Sequence, residues 1–322
     1  MRSKRHSHVE GLLNIDKPLG LTSHDVVEHI RRQTRVARVG HAGTLDPQAT
    51  GVLLIGLGTG TKLTQFLHEC SKTYRATLKL GVRTDSYDAE GKVIEVRNVG
   101  TMGPEQIMTV LEAFQGTIEQ VPPMFSALKM QGQRLYTLAR QGVEVERSPR
   151  QVQIFQLRLL ERAADTLILE VECSTGTYIR VLANDIGERL GCGAHLSALV
   201  RTAIGPFRRE DALALSDLDE AVRQGQWPRH VISLASAVDA FPAIVVRPAA
   251  AEALTHGVSP TKQGIAHMVG RLAAGETVAI LGEDGGLLAM GVSTIDAAAL
   301  DAVPSETPAV RLKRVFSGDG RR

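Results

Sequence analysis

At 322 residues the chain is too long for one ordinary domain, and 43% hydrophobic content with 22% charge marks it as globular, with ample material for a core. A net charge of +2 is not the extreme basicity that by itself announces a nucleic-acid partner. Three cysteines, none in a Cys-x-x-Cys pair, argue against a disulfide framework or a zinc site and fit a reducing compartment.

Residues 1–10 are polar and basic without an apolar segment, so a disordered tail is expected there and no signal peptide. No apolar run is long enough to cross a membrane, which points to a cytoplasmic protein. Leu12 to Ile15 is a short apolar run that ends in the turn signal Lys17-Pro18-Leu19-Gly20. Thr22 and Asp25 stand at capping-box spacing and open a helix whose inner face is Val26, Val27 and Ile30. Behind it Arg31, Arg32, Arg35 and Arg38 form the densest basic run. On charge alone that run reads as readily as a solvated helix end as it does a phosphate-binding patch.

Val52 to Leu57 reads as a buried strand, and Leu63, Phe66, Leu67 and Cys70 have helical spacing. Tyr74, Ala76, Leu78 and Leu80 alternate with polar residues, which predicts a half-buried strand. Pro104 opens a helix carrying Ile107, Leu111 and Phe114. Val152–Leu159 and Leu167–Cys173 are two further strands. Ile179, Leu182, Ala183, Ile186 and Leu190 form an amphipathic helix that stops at Gly191. Strands and helices mix without regular alternation. The expected architecture is therefore α+β: a mixed, largely antiparallel sheet flanked by helices. After about residue 235 the segments shorten and Ala and Gly rise, which suggests a separate small β-rich unit with one helix near Ala249 to Leu254.

Several motifs fail. Gly56-Leu57-Gly58-Thr59-Gly60-Thr61-Lys62 lacks the glycine that either phosphate-loop template needs at residue 61. His68-Glu69 is not followed by a second histidine at the zinc-protease spacing, and no Gly-x-Ser-x-Gly elbow occurs. By pattern alone Asp46-Pro47 is a turn, Tyr74 a core aromatic, Arg180 a surface charge and His41 a loop histidine.

The string Gly40-His41-Ala42-Gly43-Thr44-Leu45-Asp46-Pro47-Gln48-Ala49-Thr50-Gly51-Val52-Leu53 changes that reading. It resembles the catalytic motif of the TruB-type tRNA pseudouridine synthases. The segments Leu12–Gly20, Lys72–Ala76, Arg83–Gly91, Pro122–Lys129, Cys173–Arg180 and Gly191–Leu196, then Leu199 and Arg201, resemble that family's further motifs in the same order. The likeness spans roughly residues 11–210, and the rest is similar in texture to a PUA-like RNA-binding domain. The division it implies is a catalytic domain over 11–238 and the small domain over 239–322.

The resemblance implies isomerisation of uridine to pseudouridine in the T-loop of tRNA, position 55, by a stand-alone monomer without cofactor or metal. Asp46 would be the catalytic carboxylate, with attack on C1′, attack on C6 and proton abstraction all open. His41, Tyr74, Tyr178, Arg180 and Leu199 would bind the substrate, with the target base flipped out of its loop. Competing readings are a guide-RNA-dependent ribosomal RNA pseudouridine synthase, a non-catalytic tRNA-binding or tRNA-folding protein, and a carboxylate hydrolase of nucleosides. The last needs a second acidic group that no spacing supplies.

Overall fold

A computed structural model describes residues 8–125, 129–130, 132–141, 143 and 145–316. Residues 1–7 of the expected basic tail, and Ser126–Leu128 of the Pro122–Lys129 segment, lie outside the described residues.

The large sheet is built from β1 (Gly11–Lys17), β2 (Val39–Ala42), β3 (Ala49–Leu57), β4 (Lys72–Leu80), β5 (Gly116–Gln120), β6 (Arg150–Ala163), β7 (Thr166–Cys173), β8 (Ala194–Ile204), β9 (Phe207–Arg208) and β10 (Leu213–Ala214). Its main order is β10-β1-β3-β8-β4-β7-β6-β5, with β2 paired to β3 and β9 to β8. Only β1–β10 and β3–β8 are parallel; the other pairs are antiparallel. The mixed, largely antiparallel α+β expectation therefore holds.

Three helices matter to the site. The first, α1 (Ser23–Thr34), has the expected capping box: Thr22 and Asp25 each accept from the other's backbone N–H. The second, α2 (Pro104–Glu112), ends before Phe114, which the spacing had placed on it. The third, α3 (Ile179–Arg189), runs to Leu190 and meets Gly191 at φ 86°. The helix expected through Leu63–Cys70 is confined to Thr64–Leu67. Lys72 Nζ donates to the carbonyls of His68 and Cys70 and so satisfies the turn that replaces its second half. Gly58–Lys62 is a 3₁₀ turn in which Gly58 adopts φ 57° and Gly60 is there for packing. A Cβ on Gly60 would lie 2.0 Å from the Gly11 carbonyl.

Strand β3 is apolar from Gly51 onward because the sheet is covered on both faces there. Leu53 and Ile55 pack with Ile15 and Ile30 beneath α1, while Val52 and Leu54 face the opposite side. Farther along the sheet, Leu78, Leu169 and Leu196 meet Ile107 of α2 and Ile186 of α3.

A second sheet has the order Ile265–Val269, Ala243–Val246, Thr277–Gly282, Leu287–Ser293, Val310–Val315. The helix expected near Ala249–Leu254 is Pro248–Thr255. Ala279, Leu287, Met290 and Phe316 share one buried cluster with Leu54, Phe66, Leu67 and Phe207, so the two sheets meet through apolar contacts. Among the described residues no helix is long and apolar enough to cross a membrane.

Candidate active site

Asp46 sits in the loop between β2 and β3, and neighbouring elements fix that loop at nearly every residue. The Ser23 hydroxyl, at the start of α1, donates to the Leu45 carbonyl at 3.1 Å and accepts the Leu45 N–H at 2.8 Å. The Pro47 carbonyl accepts the Gly20 N–H at 2.8 Å and Lys17 Nζ at 3.4 Å. The Asp46 carbonyl accepts the Ala49 N–H at 3.0 Å. Arg201, 1% exposed on β8, donates from Nη2 to Gly43 O at 3.1 Å, from Nη1 to Thr44 O at 3.3 Å and from Nε to Val52 O at 2.8 Å. Gly51 lets β8 come this close. Its φ is 103°, and a Cβ there would lie 2.1 Å from the Arg201 carbonyl.

The Asp46 side chain is 53% exposed, so its carboxylate remains open to a ligand. One of its oxygens pairs with Arg180 Nη2 at 3.0 Å, and Arg180 Nη1 pairs with Asp88 at 3.0 Å. Arg180 itself is nearly buried on the first turn of α3, contrary to its bare pattern as a surface charge. Asp88 is held in turn. Its second oxygen accepts the Ser86 hydroxyl at 2.5 Å and the Glu90 N–H at 3.1 Å, in a loop where Tyr87 adopts φ 66°. An arginine fixed between two carboxylates has both its direction and its charge determined, and its outer carboxylate faces solvent.

Tyr74 lies on β4 directly opposite Arg201 in the β4–β8 register. Burial pushes the phenol above its ordinary value; Arg201 opposes the shift and the charge of Asp46 adds to it. The phenol is thus within electrostatic reach of both the buried cation and the exposed carboxylate. The side chain is partly buried beside the first core cluster, so the core reading and the site reading describe the same position.

His41 lies on β2. Burial lowers its pKa, the Arg201 charge lowers it further, and Nδ1 has no partner among the described residues. Tyr178 caps α3, and buried Gln120 clamps its backbone: the Tyr178 N–H donates to Oε1 at 3.0 Å, and Nε2 donates to the Tyr178 carbonyl at 3.4 Å. Leu199 on β8 lies between Ala49 of β3 and Ala76 of β4 and is partly buried.

The structure thus pairs Asp46 with Arg180 and places Tyr74 where the charge of Asp46 reaches it, with His41 on the strand that leads into the Asp46 loop and Tyr178 two residues before Arg180. Three residues with no assigned role join them: Asp88, Lys17 and Arg201. All three lie in segments whose motif likeness was visible, but nothing in the spacing showed what they touch. Lys17 is fully buried, donates to the carbonyls of Pro18 and Leu21 as well as Pro47, and has its pKa lowered to about 8 by burial. Of the basic run that begins in the last turn of α1, Arg31 is tied to Glu28 and to the Val39 carbonyl, while Arg32, Arg35 and Arg38 are exposed. Among the described residues no group of three His, Cys, Asp or Glu could hold a metal ion.

Comparison with known proteins gives the following. The model of the TruB family pseudouridylate synthase N-terminal domain matches residues 31–179. That of the tRNA pseudouridylate synthase B C-terminal domain matches residues 180–238, and the PUA domain model matches residues 242–316. The chain is 43% identical over 282 residues to the tRNA pseudouridine synthase B of Syntrophotalea carbinolica, covering 88% of this chain and 91% of the relative. It is 40% identical over 310 residues to that of Geobacter sulfurreducens, covering 96% and 100%. A crystal structure of a Cbf5-Nop10-Gar1 complex contains a chain that is 30% identical with a TM-score of 0.78, covering 95% of this chain and 84% of that one.

Proposed function

The chain belongs to the TruB family of pseudouridylate synthases, and we propose that it isomerises uridine to pseudouridine in tRNA, at position 55 of the T-loop, with Asp46 as the catalytic carboxylate. The observation that carries the site assignment is the Asp46–Arg180–Asp88 chain of ion pairs at 3.0 Å, which presents an exposed, oriented carboxylate.

The reaction breaks N1–C1′, turns the uracil and joins C5 to C1′, with one proton leaving C5 and one arriving at N1. It is balanced in atoms and electrons. The protein must supply a carboxylate beside the sugar, a surface for the free base and a group that handles the C5 proton. Asp46 serves the first need, and Arg180 offsets the cost of keeping its charge once RNA covers it. The ring of Tyr74 supports the uracil and its hydroxyl serves the proton. Tyr178 and Leu199 line the base pocket. His41, on the strand leading into the Asp46 loop, contacts the RNA where the base leaves its stack.

In this reading the catalytic unit spans residues 11–238 and the small sheet after residue 239 adds RNA affinity as a PUA-like domain. The enzyme acts as a cytoplasmic monomer. End-to-end likeness at 40% identity to a tRNA pseudouridine synthase B supports the tRNA reading over the guide-RNA one. The likeness to the Cbf5 chain is lower, at 30%.

The test is tritium release from tRNA transcripts labelled at C5 of uridine, with the purified chain alone. Release should occur, vanish when the T-loop uridine is replaced by cytidine, and vanish with Asp46→Asn while RNA binding persists. Turnover of Asp46→Asn within tenfold of the unaltered enzyme would sink the assignment of Asp46. Release only when a guide RNA or partner protein is added would sink the stand-alone reading.

A further inference from the structure

His68 has no zinc-protease partner in the sequence, and the reading above gives it no task. It lies on the turn between the short helix Thr64–Leu67 and β4. That turn is held from three sides. Lys72 Nζ donates to the carbonyls of His68 and Cys70, the Ser71 hydroxyl donates to Glu172 Oε1 at 3.1 Å, and the Ser71 carbonyl accepts the Gly205 N–H at 2.9 Å. The side chain that this framework carries is nonetheless exposed.

The ring is fixed as well. His68 Nδ1 lies 3.3 Å from the Thr175 hydroxyl oxygen. Thr175 belongs to the loop that runs from β7 to Tyr178 and Arg180, and Ser174 pins that loop to β6. The Ser174 N–H donates to the Gln153 carbonyl at 2.8 Å, and its hydroxyl accepts the Gln153 N–H at 2.9 Å. The ring also reaches Gly43. A Cβ on Gly43 would lie 3.8 Å from His68 Cδ2 and 3.7 Å from Arg201 Nη1, so the imidazole and the buried guanidinium both adjoin one residue of the Asp46 loop. His68 thus spans the two segments that supply Asp46 and Arg180, and it does so from an exposed position. Its Nε2 has no partner among the described residues.

The charges near the ring favour an anion. Lys72 and Arg201 are buried beside it; Glu69 is the opposing carboxylate, and Glu172 is engaged by Ser71. Partial burial and Lys72 lower the pKa of His68, Arg201 adds to that and Glu69 opposes it, so the ring is neutral at pH 7 and carries one N–H. With the Thr175 hydroxyl donating to Nδ1, that proton sits on Nε2.

We propose that His68 is a further RNA-binding residue of this site: Nε2 donates a hydrogen bond to a phosphate oxygen of the T-loop strand next to the flipped nucleotide. The proposal rests on the reading of the chain as a tRNA pseudouridine synthase that works through Asp46. A nucleotide whose ribose sits beside Asp46 brings its flanking phosphates to the edges formed by Gly43 and Thr175. Phosphate contacts set the register of the strand, and a donor already held by Thr175 loses little freedom when it binds.

The experiment measures tRNA binding and single-turnover rate for full-length His68→Leu, His68→Asn and His68→Gln. Leucine removes the donor. An asparagine amide replaces only Nδ1, whereas a glutamine amide reaches the place of Nε2. His68→Leu and His68→Asn should weaken tRNA binding by about 3- to 20-fold, and His68→Gln by less than about twofold. All three should keep the rate at saturating tRNA within about threefold, because a contact made equally in ground and transition states leaves that rate unchanged. Binding of His68→Leu as tight as that of the unaltered enzyme would overturn the proposal. So would a loss of rate without a loss of affinity, which would make His68 a brace between the two loops. Failure of His68→Gln to restore binding would overturn Nε2 as the donor. An unaltered enzyme that releases no tritium from C5-labelled tRNA would instead sink the functional reading, a separate result.

The ligand atom is identified with tRNA ligated from two strands that carries, at one T-loop linkage at a time, a 2′-deoxy methylphosphonate or a 2′-deoxy phosphate. At one linkage the methylphosphonate should weaken binding to the unaltered enzyme and cost His68→Leu nothing further. Equal losses in the two enzymes at every linkage would overturn the phosphate contact. Coupling of His68 to the 2′-deoxy change alone would place the contact on a ribose hydroxyl and overturn it as well.

Discussion

Lys17 and Lys72 show how far single residues here depart from their ordinary chemistry. Each amine is enclosed, each donates to backbone carbonyls, and burial lowers each pKa from 10.5 to about 8. Between those values the unfolded chain holds a proton on the lysine that the folded chain has shed. Where the unfolded state binds more protons, stability rises with pH, so each lysine makes folding more favourable as pH climbs from about 8 to 10.5. Lys72 is the cleaner probe because it does not touch the Asp46 loop. Denaturant unfolding of Lys72→Met and the unaltered enzyme at pH 7.5 and 9.5 checks this. The unaltered enzyme should gain roughly 1–2 kcal/mol relative to the variant over that interval. An equal difference at both pH values would mean that Lys72 titrates as a free lysine.

At the scale of the element, α1 carries a function its sequence only half reveals. The capping box at Thr22 and Asp25 starts the helix one residue before Ser23, and that start aims the Ser23 hydroxyl at both polar groups of Leu45. Ser23→Ala therefore removes a buried donor and acceptor and leaves two backbone groups unpaired, at a cost of about 2–4 kcal/mol in stability. Because Leu45 adjoins Asp46, the turnover rate at saturating tRNA should fall more than the folded fraction does. A variant that loses stability but keeps its rate per folded molecule would show that the loop holds its shape without α1.

The capping box was legible because it is local, and so were the strands whose side chains alternate, such as Tyr74–Leu80. Strand β8 was not. Its pairing with β4 is interrupted between Leu196 and Ala198 and again between Arg201 and Ala203, which destroys the period-two pattern, and it buries an arginine. The site divides the same way. Asp46 and Arg180 stood out through motif likeness, but their 3.0 Å approach joins residues far apart in the chain, and so does Arg180 with Asp88. A buried arginine looks in sequence like a surface one, so Arg201 could be quoted in a motif without its partners being visible.

For the molecule as a whole, the two sheets are less independent than the change of texture near residue 235 suggested. Phe66, Leu67 and Phe207 on one side and Ala279, Leu287, Met290 and Phe316 on the other form a single buried cluster. A chain ending at residue 238 would expose the first group to water. Full burial of one such side chain is worth about 1.5–3 kcal/mol, so partial exposure of three removes on the order of 5 kcal/mol. For a chain of this size that corresponds to a melting temperature lower by about 10–20 °C. Ala42 belongs to the same cluster and directly precedes Gly43, the first residue that Arg201 holds, so the loss is felt at the entrance to the Asp46 loop. The chemistry should nevertheless persist, because Asp46, Tyr74, Arg180 and Arg201 all lie before residue 238. Below its own melting temperature the shortened chain should turn over within tenfold of the full enzyme at saturating tRNA, with a clearly raised KM. Melting curves and saturation kinetics on the same preparation check both statements. A shortened chain as stable as the full one would show that the shared cluster contributes nothing to folding. A folded but inactive one would place part of the catalytic apparatus in the second sheet.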